Sequence, residues 1–232
     1  MLENNKEDLW KHFFNYPRKV YNQYILKMTE YPEYIIFDKE KMNSNKEKWG
    51  SHFGNDNPLY LEIGSGSGNF TNGLSERHKD RNYIALELRF KRLVFSADKA
   101  RRRDAKNILF LRRYGEEIQT FISEDSLSGV YINFPDPWEE KLKNRVIQPS
   151  LFQLLNPLLK KEGKVFIKTD HDGYYNDIIN FIEKMPEYEV VYSTPDLHND
   201  AKAEGNIKTE FEELFLCKHN KNINYIEILK IK

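Results

Sequence analysis

Leu59-Tyr60-Leu61-Glu62-Ile63-Gly64-Ser65-Gly66-Ser67-Gly68-Asn69-Phe70 decides how the rest of the chain is read. Leu59 to Ile63 reads as a short strand with Leu61 and Ile63 on one side of a sheet. Gly64, Gly66 and Gly68 permit positive φ and leave no Cβ between the backbone and a ligand. A helix starting near Asn69 aims its unpaired N–H groups at the loop. Together they form a cradle for a nucleotide-like ligand, although the glycine pattern alone also suits a plain tight turn.

Two acids narrow the ligand. Glu62 lies inside the strand, beside the loop, where a carboxylate needs a partner. A second strand, Asn82-Tyr83-Ile84-Ala85-Leu86-Glu87, ends in Glu87. Its distance of roughly twenty residues is that of an acid accepting hydrogen bonds from ribose hydroxyls. S-adenosyl-L-methionine carries a sulfonium and an ammonium, so an acid beside the loop suits it better than it suits NAD. The expected cofactor is S-adenosylmethionine, held by Glu62, Gly64, Gly66, Gly68 and Glu87. A NAD-type oxidoreductase is the first competing reading; it lacks a Gly-x-Gly-x-x-Gly helix start and an evident hydride-transfer site.

The chain has 232 residues, enough for one large domain with an extension. Cys217 is the only cysteine, so a reducing compartment is expected and no internal bridge can form. No apolar run reaches spanning length and the start lacks the apolar core of a signal peptide, so a cytoplasmic protein is expected. The 36 basic and 36 acidic residues cancel, giving no global attraction to nucleic acid. Locally, Arg89 to Arg113 is strongly basic, with the pattern of an amphipathic helix over about 89–104.

Residues 1–50 read as an extension that packs on the main domain, with a mobile beginning. Arg18, Lys19, Tyr21, Tyr24 and Lys27 interleave cations with rings that either touch RNA or pack inward. Residues 51–232 read as the main domain. Strands are expected at 59–63, 82–87, 108–111, 130–134, 164–169 and 188–193. Helices alternate with them, one running from Pro149 to Leu159 and stopping at Lys160-Lys161-Glu162-Gly163. Residues 211–217 and 225–229 read as the arms of a terminal hairpin or as a strand plus tail. This order predicts an α/β fold with a mostly parallel, Rossmann-like sheet and an antiparallel edge. Ligands of such sheets sit beyond the carboxyl ends of the strands. Glu62, Glu87, Tyr114, Asp136 and Asp170 all fall there. No metal cluster is evident.

Asn133-Phe134-Pro135-Asp136-Pro137-Trp138 is the second informative stretch: two prolines fix the backbone around one acid, and a large ring follows. With Phe166-Ile167-Lys168-Thr169-Asp170, Asp196-Leu197-His198-Asn199 and Glu204-Gly205-Asn206-Ile207-Lys208-Thr209-Glu210-Phe211-Glu212, it resembles the bacterial tRNA (guanine-N7)-methyltransferases. The resemblance implies a class I methyltransferase with a seven-stranded sheet and methylation of N7 of a guanosine, at position 46 of the tRNA variable loop. It implies that Glu62 and Glu87 bind S-adenosylmethionine and that Asp136 touches it as the catalytic acid. Asp170, Thr209, Glu210, Phe211 and Glu212 would hold the guanosine. The implied partner is tRNA, and the enzyme would be a monomer or homodimer.

This chain departs from the family pattern. Tyr114 stands where an acid usually contacts the cofactor, so a backbone or stacking contact from Tyr114 is expected there instead. The segment after Trp138 reads Glu139-Glu140-Lys141-Leu142-Lys143 rather than a dense basic run, and the substrate lysine falls at Glu140 or Lys141. The cations of Lys99–Arg103 are expected to compensate. A tRNA-binding relative with weakened catalysis is therefore the alternative function.

Overall fold

The computed structural model describes residues 9, 11, 13, 14, 22–218 and 221–232. The mobile beginning and the RNA contacts at Arg18, Lys19 and Tyr21 lie outside the described residues. The elements run α1 (Gln23–Met28), β1 (Ile35–Ile36), α2 (Lys39–Ser44), α3 (Trp49–Phe53), β2 (Leu59–Ile63), α4 (Asn69–Arg77), β3 (Asn82–Leu86) and α5 (Phe90–Arg102). They continue with β4 (Ile108–Leu111), β5 (Leu127–Asn133), α6 (Pro149–Leu155), β6 (Leu159–Thr169), α7 (Asp172–Ile182), β7 (Tyr188–Thr194), α8 (Glu210–Lys218) and β8 (Asn224–Lys230).

The sheet is ordered β1-β4-β3-β2-β5-β6-β8-β7. Every pair from β1 to β6 is parallel; β8 runs antiparallel to both β6 and β7. β3 and β4 are buried along their whole length, as continuous apolar runs in a two-sided parallel sheet require. Alternate residues feed two cores. Leu61, Ile63, Val130, Ile132 and Ile167 share one with α6 and α7. Tyr83, Ala85, Phe110 and Tyr131 share the other with α1, α4 and α5. Leu9, Ile25 and Met28 belong to this second core.

Three expectations need correction. Among the described residues the sheet has eight strands, not seven, because Ile35–Ile36 adds a short strand outside β4. Residues 211–217 are helical, not a hairpin arm, and β8 pairs with β7 instead. The reason is local: Thr209 Oγ1 accepts from Glu212 N at 2.9 Å, and a Glu212 oxygen accepts from Thr209 N at 3.2 Å. This reciprocal capping box starts a helix. Finally, α6 ends at Leu155, and Lys160–Gly163 lies inside β6. There the β5–β6 register shifts and Glu162 adopts φ +65°, so the run marks a bulge, not a helix stop.

Candidate active site

Gly64, Gly66 and Gly68 take φ of +80°, +56° and +75°. The N–H groups of Gly64 and Ser65 donate to Leu86 O at 3.0 and 2.9 Å, tying the loop to the end of β3. A Cβ on Gly68 would stand 2.6 Å from the Ser96 side chain, so this glycine lets the loop press on α5. A Cβ on Gly64 would meet nothing within 4 Å; it would project into open space. Lys99 reaches back from α5, donating to Ser67 O at 2.8 Å and to Asn69 Oδ1. It is a clamp on the loop.

The open space is a cleft of about 820 Å³ lined by Ile63, Gly64, Glu87, Tyr114, Trp138 and Val146 among others. Glu87 Oε1 accepts from Leu88 N and Arg89 N, both at 2.8 Å, and Oε2 lies 3.6 Å from Arg92. Its carboxylate is therefore fixed in direction. Tyr114 and Trp138 are 57% and 44% exposed, so two rings lie open on the cleft wall.

Glu62 lies behind the loop, buried. Thr71 Oγ1 donates to one of its oxygens and Asn133 Nδ2 to the other, the latter at 2.9 Å. Burial pushes its carboxyl up to about 7, against those hydrogen bonds and the charge of Lys168.

The loop after β5 is strained and held from three sides. Phe134 and Trp138 adopt φ of +51° and +40°, a region that costs a non-glycine residue about 1–3 kcal/mol. Phe134 N donates to Lys168 O at 2.8 Å, and its ring sits 4.6 Å from Phe211. Arg145 Nε donates to Pro137 O at 2.5 Å while its NH1 pairs with Asp177 at 2.7 Å. His171 Nδ1 accepts from Tyr174 N, so Nε2 carries the proton and donates to Glu139 at 2.8 Å. Arg145 and His171 were not singled out from the sequence, and no sequence signal marks them.

The remaining candidates are spread along the same rim but do not share the cleft. Asp136 is exposed and outside it. Asp170 lines a separate groove of about 370 Å³ with Asp172, Tyr175 and Asn224. Lys141 and Glu210 are exposed, and Phe211 is 44% exposed. Thr209 and Glu212 are buried. Glu212 accepts from Lys168 Nζ at 2.9 Å, His198 Nε2 at 2.6 Å and Asn206 Nδ2 at 2.5 Å. Burial pushes Glu212 upward, but Lys168, His198 and Asn206 outweigh it and hold its carboxyl below the usual range. It is a structural hub that ties the 195–212 connection to β6. Lys168 went unweighed in the sequence, although a charge inside an apolar strand is the signal that singled out Glu62.

Residues 56–225 match the family model described as "Putative methyltransferase". A tRNA (guanine-N(7)-)-methyltransferase of a Geobacillus species is 33% identical over 84% of this chain and 87% of its own. Its counterpart from Listeria monocytogenes is 34% identical over 83% of this chain and 88% of its own. The chain belongs to this methyltransferase family. A bifunctional glycosyltransferase/methyltransferase of Fusobacterium nucleatum is 54% identical over 99% of this chain, which spans only 36% of that protein's length. The fold is that of the 16S rRNA methyltransferase KamB, with TM-score 0.59 and 12% identity over 85% of this chain and 95% of that one. It is also that of a Streptococcus mutans protein solved in complex with SAH, with TM-score 0.51 and 16% identity over 75% and 89%.

Methyltransferases of this class take the methyl group from S-adenosylmethionine, and the cleft fits that molecule. Its volume lies within the usual range for small-molecule sites, about 300–1,000 Å³. Ser65 Oγ, buried in the glycine loop, has no hydrogen-bond partner among the described residues. The positive-φ glycine with open space beside it, the oriented Glu87 carboxylate and two exposed rings suit an adenosine with a cationic tail. Among the described residues no helix is long and apolar enough to cross a membrane.

Proposed function

We propose that this methyltransferase transfers the methyl group of S-adenosylmethionine to N7 of a guanosine in tRNA, at position 46 of the variable loop. One observation carries the reading: a single cleft runs from Gly64 and Glu87 to the exposed ring of Trp138. It joins a nucleoside cradle to a stacking surface. The tRNA methyltransferases among the relatives, matched over most of their length, supply the substrate. Of the Fusobacterium protein's two named activities, only methyl transfer is carried over to this chain.

The cofactor, when bound, supplies a methyl group to the N7 lone pair, and its C–S electron pair leaves with sulfur. Neutral guanine already offers that lone pair, so the protein need not remove a proton first. Glu87 would accept from the ribose hydroxyls, and Gly64, Gly66 and Gly68 would admit the backbone to close contact. Tyr114 would flank the adenine. Glu62, through Asn133 and Thr71, would place negative charge behind the cationic end. Asp136, on the loop after β5 that also carries Trp138, would offset the positive charge developing on the purine, and Asp170, in its own groove after β6, would meet the neighbouring nucleotides. Phe211 and Glu210 would meet the base or its neighbours, with Thr209 and Glu212 fixing the helix that carries them. Lys141 would contact phosphate. The reaction would take place in the cytoplasm.

The test is labelled-methyl transfer to an unmodified tRNA transcript, with the product mapped by N7-specific cleavage. Label at a guanosine of the variable loop, lost in Asp136→Ala, supports the proposal; label elsewhere or none overturns it. The exposed Glu139 and Glu140 beside Lys141 favour the second reading, a weakened enzyme that binds tRNA. Tight tRNA binding without turnover would decide for it.

A further inference from the structure

The cations of α5 divide sharply along its length. At its C-terminal end they are committed. Arg101 pairs with Glu33 at 2.6 Å and lies 4.0 Å over the Tyr31 ring. Arg102 pairs with Asp98, Arg103 with Glu76 at 3.5 Å, and Lys106 with Asp104 at 2.5 Å. Lys99 is turned inward onto the glycine loop. The compensating basic surface expected at Lys99–Arg103 is thus neutralised by its own neighbours.

The N-terminal end differs. Arg89 and Lys91 are exposed, and among the described residues no carboxylate pairs with either, or with Lys27 of α1. Phe95 is 41% exposed and meets Tyr24 of α1 edge-on at 6.0 Å. Lys91 Nζ lies 5.3 Å from the Phe95 ring centre and 5.9 Å from that of Tyr24; Lys27 Nζ lies 5.7 Å from Tyr24. Asp98 of α5 and Glu33, just after α1, are taken up by Arg102 and Arg101. The acid at the α1 terminus, Glu30, is exposed.

We infer that this face, Lys27 and Tyr24 of α1 with Arg89, Lys91 and Phe95 of α5, docks the RNA substrate outside the cleft. The inference rests on the tRNA reading above and names the surface that reading lacks. Two features select a polyanion with planar groups over a protein partner. Apart from Glu30 at the α1 terminus, the unpaired charges of the face are positive, and its apolar element is a pair of rings already engaged by ammonium groups. The face also adjoins the cleft. Arg89 N donates to Glu87, a cleft residue, and Phe95 lies six residues further along the helix, about 9 Å at 1.5 Å per residue. RNA whose base enters beside Trp138 has neighbouring backbone within reach of it.

The experiment compares the wild-type chain with Lys27→Glu/Lys91→Glu, Phe95→Ser and a control, Arg102→Glu/Lys106→Glu. Affinity for an unmodified tRNA transcript is measured from low to moderate salt, alongside S-adenosylmethionine affinity and oligomeric state. The first double variant should bind tRNA about tenfold more weakly, with a salt slope reduced by about 1.4 to 1.8, as loss of two phosphate contacts requires. Phe95→Ser should weaken binding several-fold at unchanged slope. The control should change it less than about twofold, and cofactor affinity should hold throughout. Equal weakening by both double variants, or none by the first, overturns the surface while wild-type methylation of tRNA leaves the function standing. A change of oligomeric state in Phe95→Ser without loss of tRNA affinity assigns the face to a second copy and also overturns it. Wild type that binds cofactor but no tRNA overturns both.

Discussion

Asn133 Nδ2 donates to Glu62 Oε1 at 2.9 Å, joining the last residue of β5 to the acid beneath the glycine loop. The glycine loop and the Pro-Asp-Pro-Trp loop are thereby linked through one hydrogen bond. Asn133 also pairs in register with Lys168 on β6, the next strand out, whose charge lowers the Glu62 carboxyl.

Glu62 makes the site sensitive to pH. Its carboxyl, pushed up to about 7 by burial, holds a proton more tightly in the folded chain than in the unfolded one. Between pH 4.5 and about 7 the native state therefore binds more protons, and the Glu62 contribution to stability falls as pH rises, then levels off. The total is on the order of 3 kcal/mol. Glu62→Gln should remove this slope, so its thermal midpoint relative to wild type should climb through that window. S-adenosylmethionine affinity of the wild type should rise from pH 6 to 8, because a cation favours the ionised acid, and the variant's should be weaker and flat. Parallel pH profiles for the two proteins would contradict the assignment.

Lys168 and Glu212 form an ion pair at 2.9 Å with side chains only 4% and 0% exposed. Removing one member strands the other, so Lys168→Met should cost about 3–5 kcal/mol in urea unfolding. Lys168→Met/Glu212→Gln should cost clearly less than the two single changes summed. Additive losses would show that the pair is not coupled.

Gly68→Ala meets two obstacles, a contact of 2.6 Å with Ser96 and a φ of +75°. It should abolish cofactor binding and lower stability by about 2 kcal/mol or more. Gly64→Ala carries only the strain of positive φ, so its stability loss should be about half as large. Comparing the two by calorimetry separates loop packing from backbone strain. Equal losses would mean that the approach to α5 is unimportant.

Trp138 is exposed enough that its removal should leave unfolding unchanged. Trp138→Ala should nevertheless reduce kcat/KM for tRNA about 5- to 160-fold, the range for losing one base–aromatic stack. The effect should vanish when cofactor affinity alone is measured. A loss confined to cofactor affinity would place the ring against the adenosine instead.

Much of the fold was legible because its signals are local. The glycine loop after a strand carrying Glu62, with a second strand closing on Glu87, needs only a run of about thirty residues to point to a nucleotide-type cradle, and strand–helix alternation along the chain pointed to the parallel α/β architecture. The capping box Thr209-x-x-Glu212 was equally local and equally readable, yet its apolar flank passed for a strand. Only the tertiary structure decided which charges are free. Arg101, Arg102 and Arg103 look alike in the sequence to Arg89 and Lys91, but Glu33, Asp98 and Glu76 neutralise the first three. Glu212 and Asp136 are both acids in motif positions; one is buried under Lys168 and the other stands in solvent. A charge is spent or available according to what lies within about 4 Å of it, and partners tens of residues away, Glu33 for Arg101 or Lys168 for Glu212, are set by packing across elements, which periodicity cannot report.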